Sequence, residues 1–173
     1  MIAQSPIVCV TDTLMRVTVQ LIASFVDDRG RDAEGIVYWF GLELAGQSVV
    51  TTLVVPDADT TRGNVRTSAA ANAEALSTIV DTPLVLLGQV HSHPFEFVTH
   101  STIDDRETFA QFEGALSVVV PFFGKHGMEL STCGVHRHLG GSYRRIAPAN
   151  VADHLRVLPG FRDFRPSSPG ATS

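Results

Sequence analysis

Residues 83–105, PLVLLGQVHSHPFEFVTHSTIDD, contain the pattern that decides the fold. The apolar run that opens this stretch is nearly continuous, which is typical of a strand buried on both faces. Pro94 ends the strand, because proline cannot donate a hydrogen bond to a sheet. His91 and His93 stand two residues apart at the strand end, so both side chains leave the same face of the sheet. Ser101 then predicts the N-cap of a helix, with acidic residues in its first turn.

The sequence on either side of this stretch predicts alternating helices and strands. Apolar residues recur at helical spacing over 12–27, and the alanine-rich segment 65–80 favours helix. A hairpin of two strands is predicted between them, and a polar segment at its end indicates a mobile loop. This order predicts an α/β sandwich, with a mixed sheet between helices. The predicted strands are 34–42, 47–56, 83–94, 115–121, 128–139 and 141–147, with the loop at 56–64 and a short helix at 150–158.

Length and composition fit a single folded domain. The chain has 173 residues, of which 44% are hydrophobic and 18% charged, enough for a sizeable core. We expect one domain over residues 1–158 and a flexible tail over 159–173, which is rich in Pro, Gly and Ser. Cys9 and Cys133 are expected to be small core residues in a reducing compartment.

Charge and hydropathy narrow the classes of partner. The net charge of -5 argues against nucleic acid as the main partner. The N-terminal segment lacks the pattern of a secretory signal, and no apolar run is long enough to cross a bilayer. The sequence therefore predicts a cytoplasmic protein without a membrane partner.

The chemistry of residues 90–105 favours a metal site. Asp104 lies in the first turn of the predicted helix, which would bring its carboxylate back towards His91 and His93. Two imidazoles and one carboxylate are the ligand set of a catalytic zinc site, whose fourth position is left to water. Hydrolysis at such a site also requires an acid or base outside the ligand set.

These residues resemble the JAB/MPN (JAMM) family of zinc metalloproteases. The family signature, H-x-H-P, a spacer and S-x-x-D, is met by His91, His93 and Pro94, a six-residue spacer, and Ser101 and Asp104. The family also has a glutamate seven residues before a glycine at the start of an earlier strand. Glu34 and Gly41 stand in that relation. The resemblance covers roughly residues 10–140.

The resemblance implies a fold, a cofactor and roles for the residues. The fold is the cytidine-deaminase-like α/β sandwich, and the cofactor is Zn²⁺, held by His91, His93 and Asp104. Glu34 is implied as the general acid/base, and Ser101 as the hydroxyl that stabilises the oxyanion. The implied activity is hydrolysis after the C-terminal tail of a ubiquitin-like protein. The prokaryotic branch works beside E1-like and E2-like enzymes, which suggests a bacterial conjugation pathway, with a role in antiphage defence as an extension.

Several residues keep alternative interpretations at this point. Glu43 and Glu96 are rival acids to Glu34, which is preferred because a base is held most rigidly on a scaffold element. Phe95 and Phe97 either grip an extended substrate tail or pack under their own loop.

The remaining histidines carry weaker signals. His100 is expected to be an exposed loop residue, and Asp105 a helix N-terminal charge. His136 and His138 repeat the H-x-H pattern without a following acid and are expected at the rim of the fold.

Three alternative functions remain. The same chemistry could act on small peptides or on sulfur-carrier proteins. A non-catalytic MPN scaffold is the second alternative, although scaffolds typically lack part of the zinc set. A relative associated with DNA repair is the third, and the negative net charge disfavours it.

Overall fold

A mixed eight-stranded sheet with helices on both faces organises the chain. The structure is a computed structural model that describes residues 5–160. The helices are α1 (Asp12–Ala23), α2 (Ala69–Ser77) and α3 (Thr102–Glu107), with 3₁₀ turns at Phe122–Gly124 and Pro148–Asp153. The strands are β1 (Ile7–Thr11), β2 (Ile36–Leu44), β3 (Gln47–Val54), β4 (Ala58–Thr61), β5 (Asn64–Thr67), β6 (Val85–Ser92), β7 (Leu116–Val120), β8 (Gly134–Leu139), β9 (Ser142–Arg145) and β10 (Leu155–Leu158). The predicted α/β sandwich is confirmed.

The two histidines end a central strand of the sheet. The strand order is β10-β1-β3-β2-β6-β7-β8-β9, so β6 lies between β2 and β7. Strand β6 is antiparallel to β2, with His91 opposite Ile36, and parallel to β7, with His91 opposite Val119. The carboxyl ends of β6 and β7 therefore meet at one edge of the sheet, next to the start of β2.

The core is split between the two faces of β2. Trp39 packs with the cluster on the α1 side, and its indole N–H donates to Thr18 of α1 at 3.1 Å. Tyr38 and Phe40 point to the other face, where they pack with Ala75 of α2. This alternation is the period-two pattern of a strand that is covered on both sides.

The segment 56–64 was predicted to be a mobile loop, and this is wrong. Strands β4 and β5 form a separate two-stranded hairpin there, called the β4–β5 hairpin below. The backbone N–H of Glu34 donates to the Thr61 carbonyl at 2.8 Å, and Arg66 forms a bidentate ion pair with Glu107 of α3. The hairpin thus joins the start of β2 to α3.

One prediction at the edge of the sheet is wrong, and one strand there was missed. The segment 150–158 does not form a helix. It ends a 3₁₀ turn and then becomes β10, which pairs in parallel with β1. Strand β1 was not predicted. Parallel pairing joins residues almost 150 positions apart along the chain, such as Val8 and Leu155, and no local pattern shows this.

The other expectations concern the cysteines, the tail and membrane insertion. Cys9 and Cys133 are both buried, as expected of small core residues. The predicted flexible tail falls almost entirely on residues 161–173, which lie outside the described residues. Within residues 5–160, no helix combines the length and the apolar character needed to cross a membrane.

Candidate metal centre

His91, His93 and Asp104 meet at the end of β6. Each offers one ligand atom, and these atoms all lie within 4.8 Å of one another. Asp104 Oδ2 is 3.4 Å from His93 Nε2, and Asp104 Oδ1 is 4.0 Å from His91 Nε2. The predicted triad is therefore assembled from two elements, the end of β6 and the first turn of α3.

The carboxylate of Asp104 is held by the start of its own helix. Ser101 caps α3, and its Oγ accepts hydrogen bonds from the backbone N–H groups of Ile103 and Asp104. In return, Asp104 Oδ2 accepts from the Ser101 N–H at 2.6 Å, which completes a capping box. The hydrogen bond to Oδ2 fixes the orientation of the carboxylate. Its other oxygen, Oδ1, has no hydrogen-bond partner among the described residues.

The two imidazoles differ in what orients them. His93 Nδ1 lies 2.7 Å from the carbonyl of Phe97, so Nδ1 carries the proton and Nε2 is left for a metal. His91 is 2% exposed, and neither of its ring nitrogens has a hydrogen-bond partner among the described residues. A buried, unpartnered imidazole is costly unless something binds it. This orphaned ring and the donor set of the triad fit a bound zinc ion.

Burial and neighbouring charges set the protonation of the triad. Burial lowers the pKa of His91 well below its usual value, so this ring is neutral and has a lone pair to offer. Burial opposes ionisation of Asp104, but the His93 hydrogen bond and the nearby His91 hold the pKa of this carboxyl well below its usual range. Burial also lowers the pKa of His93, but hydrogen bonds with Asp104 and the Phe97 carbonyl give a net rise. His93 and Asp104 therefore stabilise each other's charged forms, with Nε2 and Oδ2 3.4 Å apart.

Ser92 brings Glu34 to the same site. The side chain of Ser92 points away from the two histidines, is fully buried, and accepts from the Gly35 N–H at 3.0 Å. The Ser92 N–H donates to the Gly35 carbonyl, also at 3.0 Å. A Cβ atom on Gly35 would lie 2.5 Å from the ring of Phe25, so only glycine fits there. This anchoring places Glu34 directly beside the histidine strand.

Glu34 is buried and shares a cleft with His93 and Asp104 of the triad. The cleft has a volume of about 210 Å³, and its lining includes Glu34, His93, Ser101, Asp104 and Gly63 of the β4–β5 hairpin. Burial raises the pKa of Glu34 to about 7, while His93 lowers it and Asp104 adds to the rise. A carboxyl group with a pKa near neutrality can both accept and donate a proton at physiological pH. Of the rival acids, Glu43 is exposed at the far end of β2 and Glu96 is exposed in the loop after β6.

The two residues predicted to bind substrate, Phe95 and Phe97, lie at this cleft. Phe95 and Phe97 line it and are 61% and 72% exposed, so they do not pack under their own loop. The loop is instead held by its backbone, since Phe123 N–H donates to the His93 carbonyl at 2.8 Å. Large exposed aromatic side chains beside a polar cleft are typical of a binding surface.

Two residues near the site were misjudged from the sequence. The His100 side chain is 4% exposed, not an exposed loop residue, and its ring lies against that of His91. His136 is 1% exposed rather than at the rim, and its ring stacks on the other side of His100. The Ser-capped helix that directly follows His100 was a signal that this residue lies close to the ligands, but the burial of His100 depends on distant strands.

A known relative is similar over about two thirds of this chain. The chain is 31% identical over 124 residues to the probable metalloprotease y4jG of Sinorhizobium fredii (strain NBRC 101917 / NGR234), which covers 69% of this chain and 75% of that protein. The chain belongs to the JAB/MPN (JAMM) metalloprotease family. No protein-family profile matches this JAMM sequence.

Solved structures show the same fold for this JAMM domain. The solution structure of protein DSY2949 from Desulfitobacterium hafniense superposes with a TM-score of 0.65 at 12% identity, covering 89% of this chain and 94% of that chain. The solution structure of a protein from Salinibacter ruber (strain DSM 13855) gives a TM-score of 0.53 at 16% identity, covering 85% of this chain and 90% of that chain.

Proposed function

We propose that this JAMM protein hydrolyses the amide or isopeptide bond that follows the C-terminal tail of a ubiquitin-like protein. The observation that carries the hydrolytic part is Glu34, a buried carboxyl with a pKa of about 7 in the same cleft as His93 and Asp104. A metal centre that only stabilises the fold needs no such group and fills its fourth position with protein. The complete set of ligands and the adjacent acid also argue against a non-catalytic scaffold.

His91, His93 and Asp104 would hold the zinc ion. Bound there, zinc supplies Lewis acidity that makes water nucleophilic near neutral pH and polarises the scissile carbonyl. Glu34 takes a proton from the attacking water and passes it to the leaving lysine amine. A general acid/base of this kind typically contributes about 10²–10⁴-fold to the rate.

Ser101 is the proposed hydrogen-bond donor to the developing oxyanion. Its Oγ lone pairs accept from two backbone N–H groups of α3, so the hydroxyl proton is free to donate. Ser101 is exposed and lines the cleft with Glu34. A single oxyanion donor of this kind is worth about 10²–10³ in kcat.

An extended peptide tail suits the surroundings of the cleft. Gly63, at the turn of the β4–β5 hairpin, lines the cleft together with the exposed Phe95 and Phe97. A tail that lies beside the hairpin edge could add to it as a strand, while the two aromatic rings select its side chains. A bacterial conjugation pathway with E1-like and E2-like partners, and a role in antiphage defence, extend this proposal by analogy with the family.

The test uses a panel of ubiquitin-like proteins with a C-terminal fusion partner, incubated with zinc-loaded protein. We expect the parent to cleave after at least one tail and Glu34→Gln to lose about 10²–10⁴-fold in rate while still binding one zinc per chain. Glu43→Gln is the matched control, because it makes the same chemical change at an exposed carboxylate of β2. Cleavage by Glu34→Gln at the parental rate would overturn the role of Glu34. Turnover of short peptides or sulfur-carrier fusions alone would replace the proposed substrate class.

A further inference from the structure

The His91 ring needs something other than a hydrogen bond to fix its angle. A histidine that binds a metal usually donates its second ring N–H to a carbonyl or carboxylate, which sets the ring orientation. His93 has such a partner in the Phe97 carbonyl, but His91 has none among residues 5–160. The orientation of His91 therefore depends on the rings packed against it, which are those of His93 and His100.

His100 is itself fixed at both ring nitrogens. Its Nδ1 lies 2.9 Å from Asp105 Oδ1, and its Nε2 lies 2.8 Å from Ser117 Oγ. Since the Asp105 carboxylate can only accept, Nδ1 carries a proton and donates it. Ser117 is fully buried on β7, so this second bond ties the ring to the rigid centre of the sheet.

Three aromatic rings pack around the His100 ring and restrict its position. Its centroid is 5.3 Å from that of His91 in an edge-on arrangement. On its other sides, His136 lies 4.2 Å away and Tyr143 4.8 Å away, both measured between ring centroids. The backbone N–H of His100 also donates to His136 Nε2 at 3.4 Å. The ring is thus clamped between the ligand His91 and the strands β8 and β9.

The His100 side chain also contacts α3, the helix that carries the ligand Asp104. Asp105 directly follows the ligand Asp104 in the first turn of α3. The hydrogen bond from His100 to Asp105 therefore fixes this short helix relative to β7. His100 therefore contacts both the ring of His91 and the helix turn that carries Asp104.

We propose that His100 is a positioning residue of the metal centre, which orients His91 by ring packing and α3 through Asp105. This proposal rests on the proposed zinc site, but it concerns the geometry of that site rather than its substrate. Loss of an outer partner of this kind typically weakens metal binding by about 10–100-fold.

The experiment measures zinc affinity by competition with a chromophoric chelator, and the visible spectrum after substitution with Co²⁺. His100→Phe keeps the ring and removes both hydrogen bonds. Ser117→Ala removes only the bond to Nε2 and makes a smaller change to the core. We expect the first variant to bind zinc about 10–100-fold more weakly, with altered Co²⁺ bands, and the second to show a smaller shift in the same direction.

Tyr143→Phe is the matched control for general loss of stability. It removes the buried hydrogen bond from the tyrosine hydroxyl to the Ala110 carbonyl and keeps the ring beside His100. We expect lower stability and an unchanged Co²⁺ spectrum. Parental zinc affinity and Co²⁺ bands in Ser117→Ala and in any folded His100→Phe would overturn the proposal, as would an equal loss of affinity in Tyr143→Phe. The parent is measured first, and its failure to bind zinc would overturn the metal centre itself.

Discussion

Ser101 caps α3 in this structure and is the proposed oxyanion donor, and substitutions can separate these two roles. As the N-cap of α3 it accepts from two backbone N–H groups, at 3.2 Å from Ile103 and 3.1 Å from Asp104. As the proposed oxyanion donor it uses only its hydroxyl proton. Ser101→Ala removes both roles. Ser101→Gly also removes the hydroxyl, but glycine is far better tolerated than alanine at an N-cap.

The expected magnitudes follow from these contacts. Ser101→Ala should lower the free energy of unfolding by about 1 kcal/mol, and Ser101→Gly by only a few tenths. Both should lower kcat by about 10²–10³-fold, since each lacks the oxyanion donor. Ser101→Thr keeps a hydroxyl and a cap, so it should retain much of both properties.

The two properties are measured on the same protein samples. Urea denaturation of the zinc-loaded variants gives the free energy of unfolding, and steady-state kinetics on the fusion that the parent cleaves best gives kcat. The reasoning predicts that Ala and Gly differ in stability but agree in kcat. A Ser101→Gly variant with parental kcat would refute the oxyanion role. If kcat instead falls in proportion to the loss of stability across the three Ser101 variants, the loss of the helix cap alone explains the lower activity.

Two further predictions concern metal removal and pH. Free zinc at about 1,000 times its Kd stabilises the folded protein by about 4 kcal/mol, so chelation should lower Tm by about 8–16 °C. Differential scanning calorimetry should show this shift in the parent and not in His91→Ala, and an equal shift in both would contradict the assigned ligands. Asp27 accepts from the Arg31 side chain and from the backbone N–H groups of Arg31 and Arg29, which lowers its pKa from 3.8 to about 2. As the pH falls, the Asp27 carboxylate is protonated in the unfolded chain before it is protonated in the folded protein. The stabilisation that ionised Asp27 gives the folded protein is therefore complete above about pH 4 and is lost as the pH falls through about 2. Asp27→Asn should therefore lose less stability than the parent over that range in urea titrations, and parallel curves would contradict the assignment.

The strands and helices near the site follow from local pattern. The apolar run before His91 indicates a buried strand, and residues at i and i+2 of any strand share a face. Ser101 with acids behind it indicates a capped helix, and α3 begins there. These features depend on residues a few positions apart, so the sequence was sufficient to predict the convergence of His91, His93 and Asp104.

The errors have a common physical cause, which is pairing between distant residues. The segment of β4 and β5 is polar and contains a glycine turn, so it has the composition of a loop. It becomes ordered because Thr61 receives a hydrogen bond from Glu34 and Arg66 pairs with Glu107. Likewise, β1 and β10 become strands by pairing with each other across the length of the chain.

The sequence by itself determined the ligand set and the element that carries each ligand, because motif spacing and the periods of helix and strand are local properties. It also indicated Glu34, although only by resemblance. Only the tertiary structure decided that Ser92 anchors Glu34 beside the triad, that burial raises the pKa of this carboxyl, and that His100 is enclosed against His91. These properties depend on which distant side chains exclude water from the site, and such contacts form only when the sheet assembles.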